Sequence, residues 1–208
     1  MMYQSAFMAV LLCISVFMTG CSVLFSEQEW SENYAFMEGT QASSPQTIDG
    51  KLNTIGEARF PNQVAGMSPA SEVIITLPEK KLIRRIVVHS DNLIEFDIHA
   101  DRGSLTTERD WHLVKKVKSM KSSPMQISVL TPFPTDRIRL RVLKTKDDAL
   151  EARAFGARMP GWQRLSNRRA VGKIREIELY GYKTAEQVVV DAAIDTREKE
   201  LDDLLELK

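Results

Sequence analysis

The sequence predicts an all-β antiparallel fold, a sandwich or a barrel, with an α-helix appended at its C-terminus. Three observations carry that prediction. Between Ala42 and Tyr182 apolar and polar residues alternate with period two in short segments, as they do in strands with one buried face. Turn-forming clusters punctuate these segments, with no long helical pattern between them, which argues against a doubly wound parallel sheet. After Gly181 the period changes to that of a helix.

The chain opens on residues that do not belong to this fold. Ala6 to Met18, AFMAVLLCISVFM, is apolar apart from Ser15. A membrane span needs about 20 residues, so this run fits the core of a secretion signal better. It ends in Met18-Thr19-Gly20-Cys21, which resembles the bacterial lipobox, in which small residues precede a cysteine that is lipidated and becomes the mature N-terminus. That resemblance makes residues 1–21 a lipoprotein signal peptide and Cys21 the lipidation site. An uncleaved anchor or an ordinary signal peptide is the alternative. Ser22 after the cysteine is similar to the outer-membrane sorting pattern of Gram-negative lipoproteins, so an exported protein, lipid-anchored in the outer membrane, is expected. Several acyl chains give lasting attachment where one is marginal. The only other cysteine, Cys13, lies within the signal, so the mature chain has no disulfide and must be stable through its core.

Residues 22–41, SVLFSEQEWSENYAFMEGTQ, read as a tether and entry arm whose aromatics are suited to packing on the domain. The strands follow within residues 42–182. ASEVIITL (70–77) and KLIRRIVVHS (81–90) are rich in Val and Ile; LIEFDIHAD (93–101) sets Ile94, Phe96 and Ile98 against Glu95, Asp97 and His99. HLVKKV (112–117) and QISVL (126–130) come next. RIRLRVL (137–143) sets Ile138, Leu140 and Val142 against Arg137, Arg139 and Arg141, and REIELYGY (175–182) ends the set. One long insertion, 146–172, separates the last two strands; loops of that length are uncommon unless functional, and DALEARAF within it suits a short helix. Residues 183–208 form the terminal helix, with Thr184 and Gln187 spaced as a capping box. This helix is acidic and the β body basic. The overall balance of 28 Lys and Arg against 28 Asp and Glu conceals the split.

Two segments bracket the β region with a recognisable pattern. A-S-S-x-x-x-x-I-D-G-K-x-x-T (42–54) and K-I-R-E-I-E-L-Y-G (173–181) resemble the two ends of a discoidin-like domain, the coagulation factor 5/8 type C family of the galactose-binding-like jelly rolls. LIRRIVVHSDNLIEFDIHAD is similar to its pair of central strands, RDWHLVKKV to its Trp-bearing strand and TDRIRLRVL to its penultimate core strand. The resemblance implies an antiparallel jelly-roll β-sandwich. It also implies a structural calcium between the Asp-Gly loop and the last strand: Asp49, Thr54 and Glu176 through side chains, Gln46, Lys51 and Arg175 through backbone carbonyls. A hard cation takes six to eight oxygens, which such a set can supply. Without metal, Asp49-Gly50 is a turn and Glu176 pairs with a loop amide or a basic side chain.

The resemblance further implies binding through loops at one end, here 56–69, 89–92 and 146–172. Trp162, Arg164, Asn167, Arg168 and Arg169 are the ligand-binding candidates, an aromatic platform beside hydrogen-bonding and cationic groups. A Trp folded back over the sandwich edge is the competing account. Arg137, Arg139 and Arg141 form a second basic group; such a face binds phosphate, sulfate or uronate, or else covers acids such as Glu95 and Asp97 on the next strand. Catalysis has little to work with. His89, His99 and His112 lack metal-ligand spacing, and Gly66-Met67-Ser68-Pro69-Ala70 lacks the second Gly of a nucleophile elbow. Nucleic acid suits a lipidated exported protein poorly. Two functions stand: a non-catalytic module for carbohydrate or an anionic surface polymer, and an assembly scaffold of the cell envelope that docks a protein partner through the sandwich and the helix.

Overall fold

The computed structural model describes residues 28–60, 70–103, 110–156 and 169–206. The chain divides into two compact units, of which Trp30–Tyr182 is the larger. Among the described residues its strands are β1 (Gln41–Ala42), β2 (Gly56–Glu57), β3 (Glu72–Leu82), β4 (Arg85–Ser90), β5 (Leu93–Asp101), β6 (Trp111–Val117), β7 (Met125–Ser128), β8 (Pro134–Thr145) and β9 (Lys173–Tyr180). They form two antiparallel sheets, ordered β1-β3-β8-β5-β6 and β2-β9-β4-β7. This is the antiparallel sandwich that the alternation predicts.

Register turns the period-two pattern into a core. Ile138, Leu140 and Val142 of β8 face inward with Val73 and Ile75 of β3 and Phe96 and Ile98 of β5, and meet Ile86, Val88, Ile174, Ile177 and Leu179 from the other sheet. Because side chains alternate, the same register sends Arg137, Arg139 and Arg141 to the outer face.

The stretch 81–90, continuous in its apolar pattern, is not one strand. Lys81 and Leu82 still pair with Thr135 and Pro134 of β8, whereas Arg85 onward pairs with β7 and β9 of the other sheet. The chain changes sheets across Ile83 and Arg84, and the buried Ile83 keeps the corner attached to the core. Both sheets demand apolar residues there, so periodicity alone does not reveal the crossing.

Trp30 and Tyr182 close the unit at its two chain ends through an antiparallel bridge, with ring centroids 4.9 Å apart. The Arg85 guanidinium lies between the Trp30 and Tyr180 rings, 4.1 and 4.5 Å from their centroids. Asn33 adds a third tie, its Oδ1 accepting from Leu179 N at 2.8 Å.

The smaller unit holds Glu29 and the residues from Lys183 onward. Helix α1 (Asp148–Gly156) lies in the insertion of the larger unit, and α2 (Ala185–Glu206) is the terminal helix. The capping box forms: Thr184 N donates to Gln187 Oε1 at 2.9 Å and Gln187 N to Thr184 Oγ1 at 3.3 Å. Lys183 Nζ lies 2.9 Å from both Glu29 Oε2 and Asp191 Oδ2, which hold its pKa above the ordinary lysine value.

Phe96 is fully buried at the centre of the sandwich. Phe96→Ala should lower unfolding free energy by about 3–5 kcal/mol in denaturant titration, with an unchanged denaturant slope.

Candidate functional site

The Asp-Gly loop is built by its local chemistry. A 3-10 turn, Pro45–Ile48, delivers the chain to Asp49, and Gly50 follows at φ +72, a conformation that favours glycine. Asp49 folds the loop around itself. Its Oδ1 accepts from Lys51 N at 2.9 Å, and the Thr54 hydroxyl lies 2.9 Å from both carboxylate oxygens and 2.8 Å from the Lys51 carbonyl. Gly50 N then donates to Glu176 Oε2 on β9 at 3.1 Å. Asp49, Thr54 and Glu176, distant in sequence, are thus brought to one place.

Glu176 is the unusual member. It is 2% exposed, and its second oxygen, Oε1, has no hydrogen-bond partner. Burial pushes its pKa up to about 7; the Gly50 amide opposes the rise, and the Asp49 and Glu178 charges add to it. The loop-amide contact is the arrangement expected in the absence of metal, yet it satisfies only half of the carboxyl group.

The backbone candidates are distributed around this pair. The Lys51 carbonyl already accepts from Thr54, and Gln46 lies in the 3-10 turn. Arg175 sits at a register shift between the His89↔Glu176 and Ser90↔Ile174 pairs, so it has no directly opposed partner on β4. Its side chain has a task the sequence did not suggest. Nε and Nη2 grip Asp91 at 2.5 and 3.1 Å while Nη1 donates to the Leu52 carbonyl at 2.6 Å, tying the Asp49 loop to the β4–β5 turn. Among the described residues, no group of three or more His, Cys, Asp or Glu side chains converges as a metal-binding cluster.

Arg175 leads to the loop-bearing end of the sandwich. Asn92, buried in the β4–β5 turn, donates from Nδ2 to Asp147 Oδ2 at 2.9 Å and to the Val171 carbonyl at 3.0 Å, and accepts from Lys173 N at 2.7 Å. Its own carbonyl accepts from Lys146 N at 2.8 Å. One amide therefore joins both stems of the 146–172 insertion. Asp148 makes a second joint, accepting from the Thr145 hydroxyl at 2.7 Å and from Ala170 N at 2.9 Å. Gly172 completes the closure, since a Cβ there would stand 2.7 Å from Val142 Cγ2. Asn92 reads from sequence only as a turn residue; its buried role depends on contacts far along the chain.

Trp162, Arg164, Asn167 and Arg168 lie outside the described residues, as do Cys21 and the signal segment. Of the ligand-binding candidates, Arg169 is described, and it donates to the Leu143 carbonyl. The histidines are dispersed: His89 Nε2 is 2.8 Å from Glu178 Oε1, His112 stacks edge-on against Phe133, and His99 is on the outer face of β5.

No family model and no curated protein matches this sequence. Solved structures do match. Chitosan-binding module 1 of a chitosanase/glucanase from Paenibacillus sp. IK-5 superposes with a TM-score of 0.50 at 15% identity, covering 73% of this chain and 100% of that one. A truncated AlyQ with family 32 carbohydrate-binding (CBM32) and alginate lyase domains gives a TM-score of 0.50 at 12% identity, covering 76% of this chain and 35% of that one. At such identities the likeness is one of fold: this chain shares the antiparallel β-sandwich of those modules.

The raised Glu176 pKa has a definite sign. The folded chain holds this proton more tightly than the unfolded chain does. The associated stability is complete below pH 4.5 and is lost as pH rises toward about 7. In chelator, wild type should lose about 3 kcal/mol relative to Glu176→Gln across that window, read as the difference between their unfolding free energies.

Proposed function

We propose that this chain is a membrane-anchored lipoprotein whose sandwich is a non-catalytic binding module for carbohydrate or an anionic surface polymer. The observation that carries the reading is the separation of two poles. The larger unit's chain ends meet at Trp30 and Tyr182, beside the Tyr180 end of β9. Asn92, Asp148 and the stems of the 146–172 insertion gather at the Lys173 end. A strand rises ~3.3 Å per residue, so β9 sets these poles ~23 Å apart. The Lys173 pole, where the loops gather, is the ligand-facing one in this reading. Ligand recognition by Trp162, Arg164, Asn167, Arg168 and Arg169 belongs there. The fold shared with a chitosan-binding module supports this choice of ligand class.

Calcium fits the Asp49 loop as a structural ion. Glu176 Oε1 is a buried acceptor without a partner, Asp49 adds a second carboxylate, and Thr54 and the carbonyls of Gln46, Lys51 and Arg175 are neutral oxygens. A cation there would favour the ionised form of Glu176 and reinforce the tie between the first loop and the last strand. Its contribution is to hold the fold together.

One observation favours a second reading, an envelope scaffold. Val189, Val190 and Ile194 of α2 are 68%, 56% and 51% exposed, on a helix that also bears many acids. A protein partner is the natural cover for such side chains.

A glycan array probed with the full chain separates these readings. Saturable binding that Trp162→Ala reduces by tenfold or more, and that deletion of residues 184–208 leaves intact, is expected. Calcium should raise the unfolding midpoint of wild type and leave that of Glu176→Gln unmoved. A folded sample that binds no glycan, but loses an envelope partner with residues 184–208, would favour the scaffold.

A further inference from the structure

The outer face of the five-stranded sheet presents a surface separate from the loop pole. Its centre is β8, and register lays its side chains out in rows. Glu72, Arg141 and Asp97 stand opposite one another across β3, β8 and β5, with Lys116 of β6 opposite Asp97. The next row holds Ile74, Arg139, His99 and Leu113. Thr76 stands opposite Arg137, and Trp111 opposite Asp101. Arg139 is fixed in position: its guanidinium is stacked 4.4 Å from the Trp111 ring centroid and its Nη1 lies 3.9 Å from Glu72.

Three features distinguish this face from an ordinary charge ladder. Arg141 is exposed and makes no ion pair or hydrogen bond among the described residues. Asp97 Oδ1, His99 Nδ1 and Arg137 Nε are buried without hydrogen-bond partners, and Asp97 as a whole is 9% exposed. His99 is also held below the ordinary histidine pKa by burial and by Arg139, which keeps the ring neutral and able both to donate and to accept. Glu95 takes no part, being paired with Lys144 at 3.8 Å.

We propose that this face is a second binding surface, one that takes a single uronate-bearing polysaccharide chain lying along β8. Arginine forks match planar carboxylates bidentately, which suits the exposed Arg141 and the partly exposed Arg137 on this face. Trp111 and the half-exposed Leu113 supply an apolar edge on β6 for the C–H faces of the rings. The width of the cationic strip decides between ligand classes. The arginine row follows a single strand, with Glu72 on one side and Asp97 and Asp101 on the other, and Lys116 stands beyond Asp97. A flat anionic bilayer would press its headgroups on those acids as well; a lone polymer chain meets the arginines and leaves the acids to accept from hydroxyls.

The test uses the full chain with three probes: oligogalacturonate, its methyl ester, and phosphatidylglycerol vesicles. Wild type should bind the acid at least ~tenfold more tightly than the ester, and Arg137→Gln/Arg141→Gln should lose at least ~tenfold for the acid. Arg137→Lys/Arg141→Lys keeps the charge but removes the fork, and several-fold weaker binding is expected; it carries the test if the Gln pair does not fold. Trp162→Ala should leave oligogalacturonate binding unchanged. Equal affinity for acid and ester, binding unaffected by either arginine pair, or vesicle binding in place of the acid would each overturn the inference. Loss with Trp162→Ala and not with the arginine pairs would also overturn it while leaving the loop-pole reading intact.

Discussion

The hydrogen bond from Gly50 N to Glu176 Oε2 holds the start of the sandwich to its end. The described residues include no cysteine that could perform that service. The strands that flank the first loop, β1 and β2, are two residues each, and beyond them the loop is held by this bond and by Arg175 to the Leu52 carbonyl. A sandwich with edges this short depends on polar contacts beyond its ladders. Placing a carboxylate at 2% exposure to make the contact requires the group to give up either its hydration or its charge, and the elevated pKa records the strain of that choice. The architecture tolerates one expensive residue because it connects segments that core packing alone cannot join.

The same solution recurs at the loop pole with cheaper chemistry. Asn92 is neutral, so its burial carries no ionisation penalty, and its side-chain amide is matched to two acceptors and one donor. Arg175 links the two regions, reaching Asp91 next to Asn92 and Leu52 next to the Asp49 loop. A perturbation of the Asp49 loop therefore has a physical route to the base of the 146–172 insertion, through one rigid guanidinium.

Much of this was legible from residue order, and the exceptions share a cause. Alternation marks β5 and β8 because each buries one face, and the capping box marks α2 because its partners are three residues apart. Asp49, Thr54 and Glu176 were paired by resemblance to a family pattern, since nothing local relates residue 49 to residue 176. The break in 81–90 is silent because both sheets ask for the same residue types. Arg175 was expected to offer only its carbonyl, and Asn92 only a turn; their side-chain roles arise from neighbours some eighty residues away. Trp111 looked like a strand residue and no more, because its guanidinium partner sits on β8.

The bridge between Trp30 and Tyr182 also fixes how this unit responds to force. Tension applied between its two chain ends acts at a single pole and would peel the bridge open one contact at a time, with Arg85, held between two rings, as the first element to yield. Tension between the chain ends of this unit and its loop pole runs instead along the strands, loading many ladder hydrogen bonds together. The same fold is compliant in the first direction and stiff in the second.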